Sequence, residues 1–340
     1  MLVNSPALPQ GYAARSPEPE DLDALVELEA AYQRFAHGSA SVDRRAVASS
    51  ATGTGSWTRR QLVVADPSGR LVARAAIHDR AAGRVVVELV VAPDEPSADA
   101  LAGALLDWLA HEGVALAAER GLPSTQLDAS AYADDARQQR WLTSDGYRLV
   151  RTWLQMSRPI TAEDGAPEAF APPREGVTIR RVATHEDGSP VAADLQAVHR
   201  VLEESFADHF NSYRESFAEF VQRLREDPGH RWDHWWLAEV DVDGQTVPGG
   251  ALVGSVLPPD ADGVPGSYID YIGVHRNARG RGVAKALLHT VIRDAAERGR
   301  NRLGLEVDAD SPTGADGLYT SMGWVTTYRT QSWHRDCATG

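Results

Sequence analysis

From residue 268 the chain reads YIDYIGVHRNARGRGVAKALLHTVIRDAAER, and the spacing of its apolar positions changes within that stretch. Tyr268 to Val274 is an apolar run. A basic turn, Arg276 to Gly282, follows, and then apolar residues recur at Val283, Leu287, Leu288, Val291, Ile292 and Ala295. The pattern predicts a strand, a turn and an amphipathic helix. Glycines at 280 and 282 let backbone approach a ligand, and the helix start aims unpaired N–H groups and the positive end of its dipole at the turn. With Arg276, Arg279 and Arg281 alongside, the expected occupant is an anion such as a pyrophosphate.

The same reading places elements along the rest of the chain. Tyr12 to Arg15 predicts a short strand and Glu20 to Tyr32 a helix, with Gly38 to Ser56 as loop or weak helix. Strands follow at Gln61 to Ala65, Leu71 to His78 and Val85 to Val91, with turns at Pro67-Ser68-Gly69 and Gly83. A long helix spans about Ser97 to Arg120, then a strand at Thr125 to Asp128 and a helix through Arg140. Four prolines between Arg158 and Gly176 suit a linker better than a packed element. The pattern then restarts: a strand at Val177 to Val182, helices at Val191 to Ser205 and Arg214 to Glu226, and strands at Trp235 to Val242 and Gly249 to Leu257.

Three phosphate-binding designs could use the basic turn. No G-x-x-x-x-G-K-[ST] string exists, and a dinucleotide fingerprint would need a glycine where Lys285 stands, although Glu306 lies at a suitable distance downstream. Arg279-x-x-Gly282-x-Ala284 instead resembles the R/Q-x-x-G-x-G/A signature of the GNAT superfamily of acyl-CoA-dependent N-acyltransferases, whose turn holds the CoA pyrophosphate. Further on, a strand at Arg302 to Val307, a Ser-Pro-Thr-Gly turn and a short helix carry Ala315, Leu318, Tyr319, Gly323 and Trp324. Those positions resemble the second GNAT motif, with Pro312 where the motif has Asn.

The halves of the chain also match one another. Thr143 to Tyr147 overlays Thr320 to Trp324 at an offset of 320−143=177, and Ala118 to Gly121 overlays Ala296 to Gly299 at 296−118=178. Two separate matches suggest duplication. Matching Ala104-Leu105-Leu106 to Ala286-Leu287-Leu288 gives 286−104=182, so the start of this helix is ambiguous by about one turn. Under either register the first half lacks the basic turn, and it carries Asp94 and Glu95 there and Leu142 opposite Tyr319.

The expected fold is therefore α/β (α+β), with two tandem GNAT-type domains, each a mixed, mostly antiparallel sheet flanked by helices. Residues 1–158 are expected to be a degenerate, non-catalytic domain, 159–176 a linker, and 177–340 a catalytic, acetyl-CoA-binding domain. Two similar domains, one of them empty, resemble the tandem GNAT architecture of mycothiol synthase, and no residue pattern here fixes that substrate.

The resemblance implies N-acetyl transfer from acetyl-CoA to a primary amine of a small molecule. Such a reaction needs a neutral amine, a site for the oxyanion and a proton for the departing thiolate. A thiol near pKa 8.5 can be protonated by a neutral phenol near 10, and Tyr319 stands at the family's general-acid position; otherwise its ring simply packs. The backbone of Ile272, Gly273 and Val274 occupies the stretch that in relatives splays at a bulge and contacts the pantetheine. Arg279, Gly280, Arg281, Gly282, Val283 and Ala284 are the expected pyrophosphate contacts.

Asp270 alternates with Ile272 on the apolar strand and matches a position where relatives carry a base. It is either that base, its pKa raised by burial, or a structural carboxylate bonded to backbone. Glu239 and Glu306 are weaker candidates. Phe206, Asp208, His209 and Tyr213 lie where the family builds its acceptor wall, and the same stretch also suits an ordinary interhelical loop. His230 and His234 have metal-like spacing only in a helix and lack a third ligand, so no metal is expected.

Composition adds exclusions. One cysteine, Cys337, leaves no disulfide framework, and the first residues lack a signal peptide's charged and apolar regions. No apolar run approaches membrane-spanning length, so no membrane association and a cytoplasmic setting are expected. The net charge of −14 disfavours nucleic acid and mildly favours cationic partners. High Ala, Arg and Asp suggest a bacterial source. A non-catalytic acyl-CoA sensor is the alternative to an enzyme.

Overall fold

The computed structural model describes residues 5–80, 84–207, 215–310 and 314–339. In the first half, strand β1 (Ala13–Arg15) leads to helices α1 (Leu22–His37) and α2 (Arg44–Ala51), strands β2 (Arg59–Ala65), β3 (Leu71–Arg80) and β4 (Arg84–Val91), and helix α3 (Ala98–Glu119). Strand β5 (Ser124–Tyr132), helix α4 (Ala136–Ser144) and strand β6 (Arg148–Pro159) complete it. The second half repeats the order with β7 (Val177–Arg181), α5 (Ala192–Phe206), α6 (Phe217–Glu226), β8 (His230–Val242), β9 (Gln245–Leu257), β10 (Gly266–Val274), α7 (Val283–Glu297), β11 (Arg302–Asp308), α8 (Ala315–Ser321) and β12 (Val325–Ala338). The stretch from Gly38 to Ser56, expected as loop or weak helix, contains α2, whose first turn is capped by the Asp43 carboxylate accepting from the Arg45 N–H.

The twelve strands among the described residues form one sheet in the order β1-β2-β3-β4-β5-β12-β6-β11-β10-β9-β8-β7. Only β4–β5 and β10–β11 are parallel; the other neighbours are antiparallel. The two halves are thus each mixed and mostly antiparallel, and they are joined by an exchange. The last strand of the first half, β6, pairs with β11, while the last strand of the chain, β12, pairs with β5. Packing follows pairing: Trp333 of β12 lies in the first half's core, and Met156 of β6 in the second half's. The sequence division near residue 158 is therefore crossed in space by two strands.

Residues 159–176, expected as a linker, are mostly exposed and are anchored to the second half at a few points. Ile160 is buried, Arg158 pairs with Asp164 at 2.6 Å, and Phe170 stacks on His289 of α7 at 4.5 Å. One helix also departs from expectation. Ala98–Glu119 is long and apolar enough to cross a membrane by length and composition. It lies instead against β3, β4 and β5, with Leu101, Leu105 and Leu109 fully buried, so its apolar character is that of a core helix.

Helix α7 is positioned by its apolar stripe. Val283, Leu287, Leu288, Val291, Ile292 and Ala295 are all buried beneath the sheet. A side chain at 250 would bring its Cβ within 2.5 Å of Val283, so Gly250 of β9 allows this helix to seat. Its start is thereby fixed beside the end of β10.

Candidate active site

Strands β10 and β11 are paired only from Ser267 to Ile269, opposite Leu303 to Leu305. Beyond that point β10 keeps its pairing to β9 alone, and the two parallel strands diverge. A cleft of about 1250 Å³ opens at the divergence. Its walls come from β10, β11, α5, α6 and α8, together with Arg80, Arg84 and Trp153 of the first half.

The register of β10 on β9 slips between Ile269 and Tyr271, which places a bulge at Asp270. The bulge was expected at Ile272 to Val274. Those three residues are instead regularly paired with Leu252, Ala251 and Gly250, and they line the cleft beyond the bulge. Gly273 has a packing reason as well, since a Cβ there would stand 3.0 Å from Leu202 and Ser205 of α5.

Asp270 faces the cleft, and burial, followed by the negative charge of Asp227, pushes its carboxyl up to about 7. The Ser255 hydroxyl donates to it at 3.2 Å and acts in the opposite direction, as does the Arg223 guanidinium. A carboxyl near 7 is half ionised at neutral pH and so can both take and release a proton. Glu306, a weaker candidate from sequence, also lines the cleft and is raised by burial, but Gln155 and Thr330 hold its carboxylate. Glu239 is bound to Arg180 at 2.7 Å and is not part of the cleft.

Tyr319 of α8 lines the opposite wall. Its ring packs edge-on against Trp324 at 5.8 Å, and burial raises its hydroxyl to about 12, so it is a neutral phenol at any ordinary pH. Ring packing and a hydroxyl available to the cleft are therefore compatible roles.

At the other end lies the basic turn. Gly280 and Gly282 both have left-handed backbone (φ 78° and 81°), and Gly282 caps α7 without any side chain bonding the first-turn N–H groups. Arg276, Arg279 and Ala284 line the cleft there. Arg281 turns away to the Asp241 carbonyl, and the Val283 side chain enters the core, which leaves only its backbone for the turn. Arg174, which sequence reasoning missed, donates to the Gly280 carbonyl at 3.0 Å and lies over Gly282. Open N–H groups and arginines around a glycine turn suit a pyrophosphate.

Of the expected acceptor wall, Phe206 lines the cleft and meets the Tyr271 ring at 6.4 Å. Asp208, His209 and Tyr213 lie outside the described residues. The His230 to His234 stretch belongs to a strand, and among the described residues no group of three His, Cys, Asp or Glu is placed to hold a metal.

The corresponding place in the first half is filled. Strands β4 and β5 are parallel from Arg84 to Val87 and then diverge, which sets Glu88 opposite Asp270 at an offset of 270−88=182. No bulge interrupts β4 there, and Glu88 is held by Arg74 at 3.4 Å. The Gln138 amide bridges the diverging strands, donating to the carbonyls of Leu89 (3.3 Å) and Ser130 (3.2 Å) while accepting from Tyr32. At the start of α3 the buried Glu95 carboxylate accepts from the Ser97 N–H at 2.8 Å and from the Tyr12 hydroxyl at 2.5 Å. The start of α3 is thus met by the chain's own carboxylate.

Residues 195–324 match the Acetyltransferase (GNAT) family. Over 328 residues the chain is 27% identical to mycothiol acetyltransferase of Kocuria rhizophila, spanning 94% of this chain and 95% of that protein. A GCN5-related N-acetyltransferase from Sphaerobacter thermophilus shares its structure with a TM-score of 0.70 at 25% identity, covering 98% of both chains. A tandem GNAT protein from the clavulanic acid biosynthesis pathway gives a TM-score of 0.64 at 16% identity, over 97% of this chain and 98% of that one, and supports the fold.

Proposed function

We propose that this chain, an acetyltransferase of the GNAT family over residues 195–324, uses the cleft between β10 and β11 to move an acetyl group from acetyl-CoA to a primary amine of a small molecule. The observation that carries the reading is the meeting of three features in one cleft: a carboxyl near 7 at a β-bulge, a neutral phenol, and an uncapped glycine-arginine turn. Arg276, Arg279 and the N–H groups at the start of α7 would hold the pyrophosphate, and the diverging edge of β10 would line the pantetheine arm. Asp270 accepts the proton of the incoming ammonium, which leaves a neutral amine to attack the thioester carbonyl. Tyr319 supplies a proton to the departing sulfur. A phenol near 12 is a weak acid, and its proton moves as the thiolate charge develops.

In this reading residues 1–158 form a half that binds no CoA and contributes structure. Gln138 across the diverging strands and Glu95 at the α3 start support that role, as does the contribution of Arg80, Arg84 and Trp153 to the acceptor side of the cleft. The mixture of carboxylates and arginines lining the cleft suits a polar acceptor with a cationic amine, and the amine that mycothiol acetyltransferase acetylates is the first to try. The test is CoA release with a panel of amines, with mass spectrometry of the product. A gain of one acetyl group on the amine nitrogen supports the proposal. CoA bound tightly but never released in excess of enzyme, with every amine, would refute it in favour of a binding protein.

A further inference from the structure

Asp270 does not stand alone. Asp227, at the end of α6, lines the same cleft, and its carboxylate accepts from the Gly229 N–H at 2.7 Å. Ser255 of β9 is buried beside both: its hydroxyl donates to Asp270 at 3.2 Å, and the turn after Asp227 is tied to the next residue of the strand, the Val256 N–H donating to the Gly229 carbonyl at 2.9 Å. A serine carries one hydrogen and cannot donate to both carboxylates at once. With both ionised, one of them goes without the serine's hydrogen beside a like charge; with one added proton, each link of the row has a hydrogen.

We propose that Asp227 and Ser255 complete the base, forming with Asp270 a carboxylate–hydroxyl–carboxylate chain that carries the acceptor's proton away from the reacting nitrogen. This rests on Asp270 being the base. The ammonium N–H bond breaks as an O–H bond forms on Asp270. The Asp270 proton then passes to the Ser255 oxygen while the Ser255 proton passes to Asp227. The net change is one proton moved from nitrogen to Asp227, with the serine regenerated. Asp270 is thereby ionised again before the next acceptor arrives.

The first half fixes this chain in place. Glu226, the residue before Asp227, is bound to Arg59 at 2.9 Å and to the Thr58 hydroxyl at 2.9 Å, with His78 at 3.6 Å. A Cβ at residue 229 would stand 2.4 Å from the Val256 carbonyl, so Gly229 allows the turn after Asp227 to close on β9. The charged and titratable groups facing the chain come from several elements. Arg223 of α6 is held by Glu215 at 2.7 Å and by the Tyr271 hydroxyl at 2.9 Å. Asp43 and Arg45 of the first half face Asp227, Glu306 faces the cleft from β11, and Tyr268 flanks Asp270 on its own strand. His230 pairs across from Ser255 and is kept neutral by burial, with its value lowered to about 4.

The test is carbon NMR of the full chain with side-chain-labelled aspartate, read alongside the pH profile of acetyl transfer to the best amine of the panel. In the parent, Asp270 and Asp227 are expected to titrate together in two separated steps. Asp227→Asn, which still accepts from Gly229, should collapse these to one step moved down by about one pH unit, with the acid limb of kcat following it and the KM for acetyl-CoA unchanged. Ser255→Ala should move the step up instead, because it removes a donor to the ionised form. The amine titrates identically in all variants, so these shifts report the protein. An Asp270 step left in place by Asp227→Asn, or by Ser255→Ala should the former not fold, would overturn the chain while leaving Asp270 as the base. Full activity and an unchanged acid limb in Asp270→Asn would overturn the base itself.

Discussion

Replacing Asp270, the proposed base, by Asn should stop acetyl transfer and at the same time stabilise the protein above neutral pH. The carboxyl rises from an ordinary 3.8 to about 7, a displacement of about 3 units. At about 1.4 kcal/mol per unit, the ionised form carries a penalty of up to about 4 kcal/mol in the folded state. The sign follows from where protons bind. Below about 4 the group is protonated in both states and contributes nothing; between about 4 and 7 only the folded state holds the proton, and above about 7 the full penalty applies. Stability contributed by this group is therefore lost as pH rises through its folded value. An Asn amide keeps the Ser255 partnership without the charge, so the variant should match the parent at pH 4 and exceed it at pH 8. Taking the average unfolding entropy for a chain of this length, 4 kcal/mol corresponds to roughly 5 °C in Tm. Thermal unfolding of both proteins from pH 4 to pH 8 measures the difference, with Asp227 the neighbour whose own titration changes with Asp270. Equal Tm values at pH 8, or a variant less stable at both ends, would refute the buried-carboxylate argument.

Tyr319→Phe retains the contact with Trp324 and loses only the hydroxyl, so kcat should fall by about 10²–10⁴ with acetyl-CoA affinity preserved in calorimetry. Gly282→Glu forces a side chain onto left-handed backbone, with its Cβ 3.3 Å from Arg174, and sets a carboxylate at the start of α7; CoA binding should be lost while circular dichroism stays close to the parent's.

The stretch from Tyr268 to Glu297 was legible because its periodicity, its glycines and its charges all bear on one local structure. The short α2 was only half legible, although Asp43 before Arg44 is a capping signal. Strands β6 and β12 were not recognised from the sequence. Their residues, such as Arg148, Thr152, Gln155 and Thr326, Arg329, Gln331, are polar, and only partial burial in the middle of a sheet gives them their conformation. That they exchange between halves is decided by pairing over more than 140 residues, as between Leu303 and Arg158 or between Trp333 and Ala129, which no window of sequence contains. The site divides in the same way. Asp270 and Tyr319 sit at positions that local motifs mark. Asp227, Arg84 and Trp153 reach the cleft, and Ser255 reaches Asp270, only through tertiary folding, and their own neighbourhoods in the chain carry no mark of it. The filled site of the first half was half visible: Glu95 in an acidic turn can be read directly, whereas Gln138 bridging Leu89 and Ser130 cannot.

The central claim is that one cleft, between β10 and β11, does the chemistry of the whole chain. A crystal structure of the full protein grown with acetyl-CoA, with calorimetry to count sites, tests it most directly. The account predicts one molecule per chain, its pyrophosphate on the α7 turn beside Arg276 and Arg279 and its thioester between Asp270 and Tyr319. Two molecules per chain, or one whose pyrophosphate displaces Glu95 at the start of α3, would contradict it.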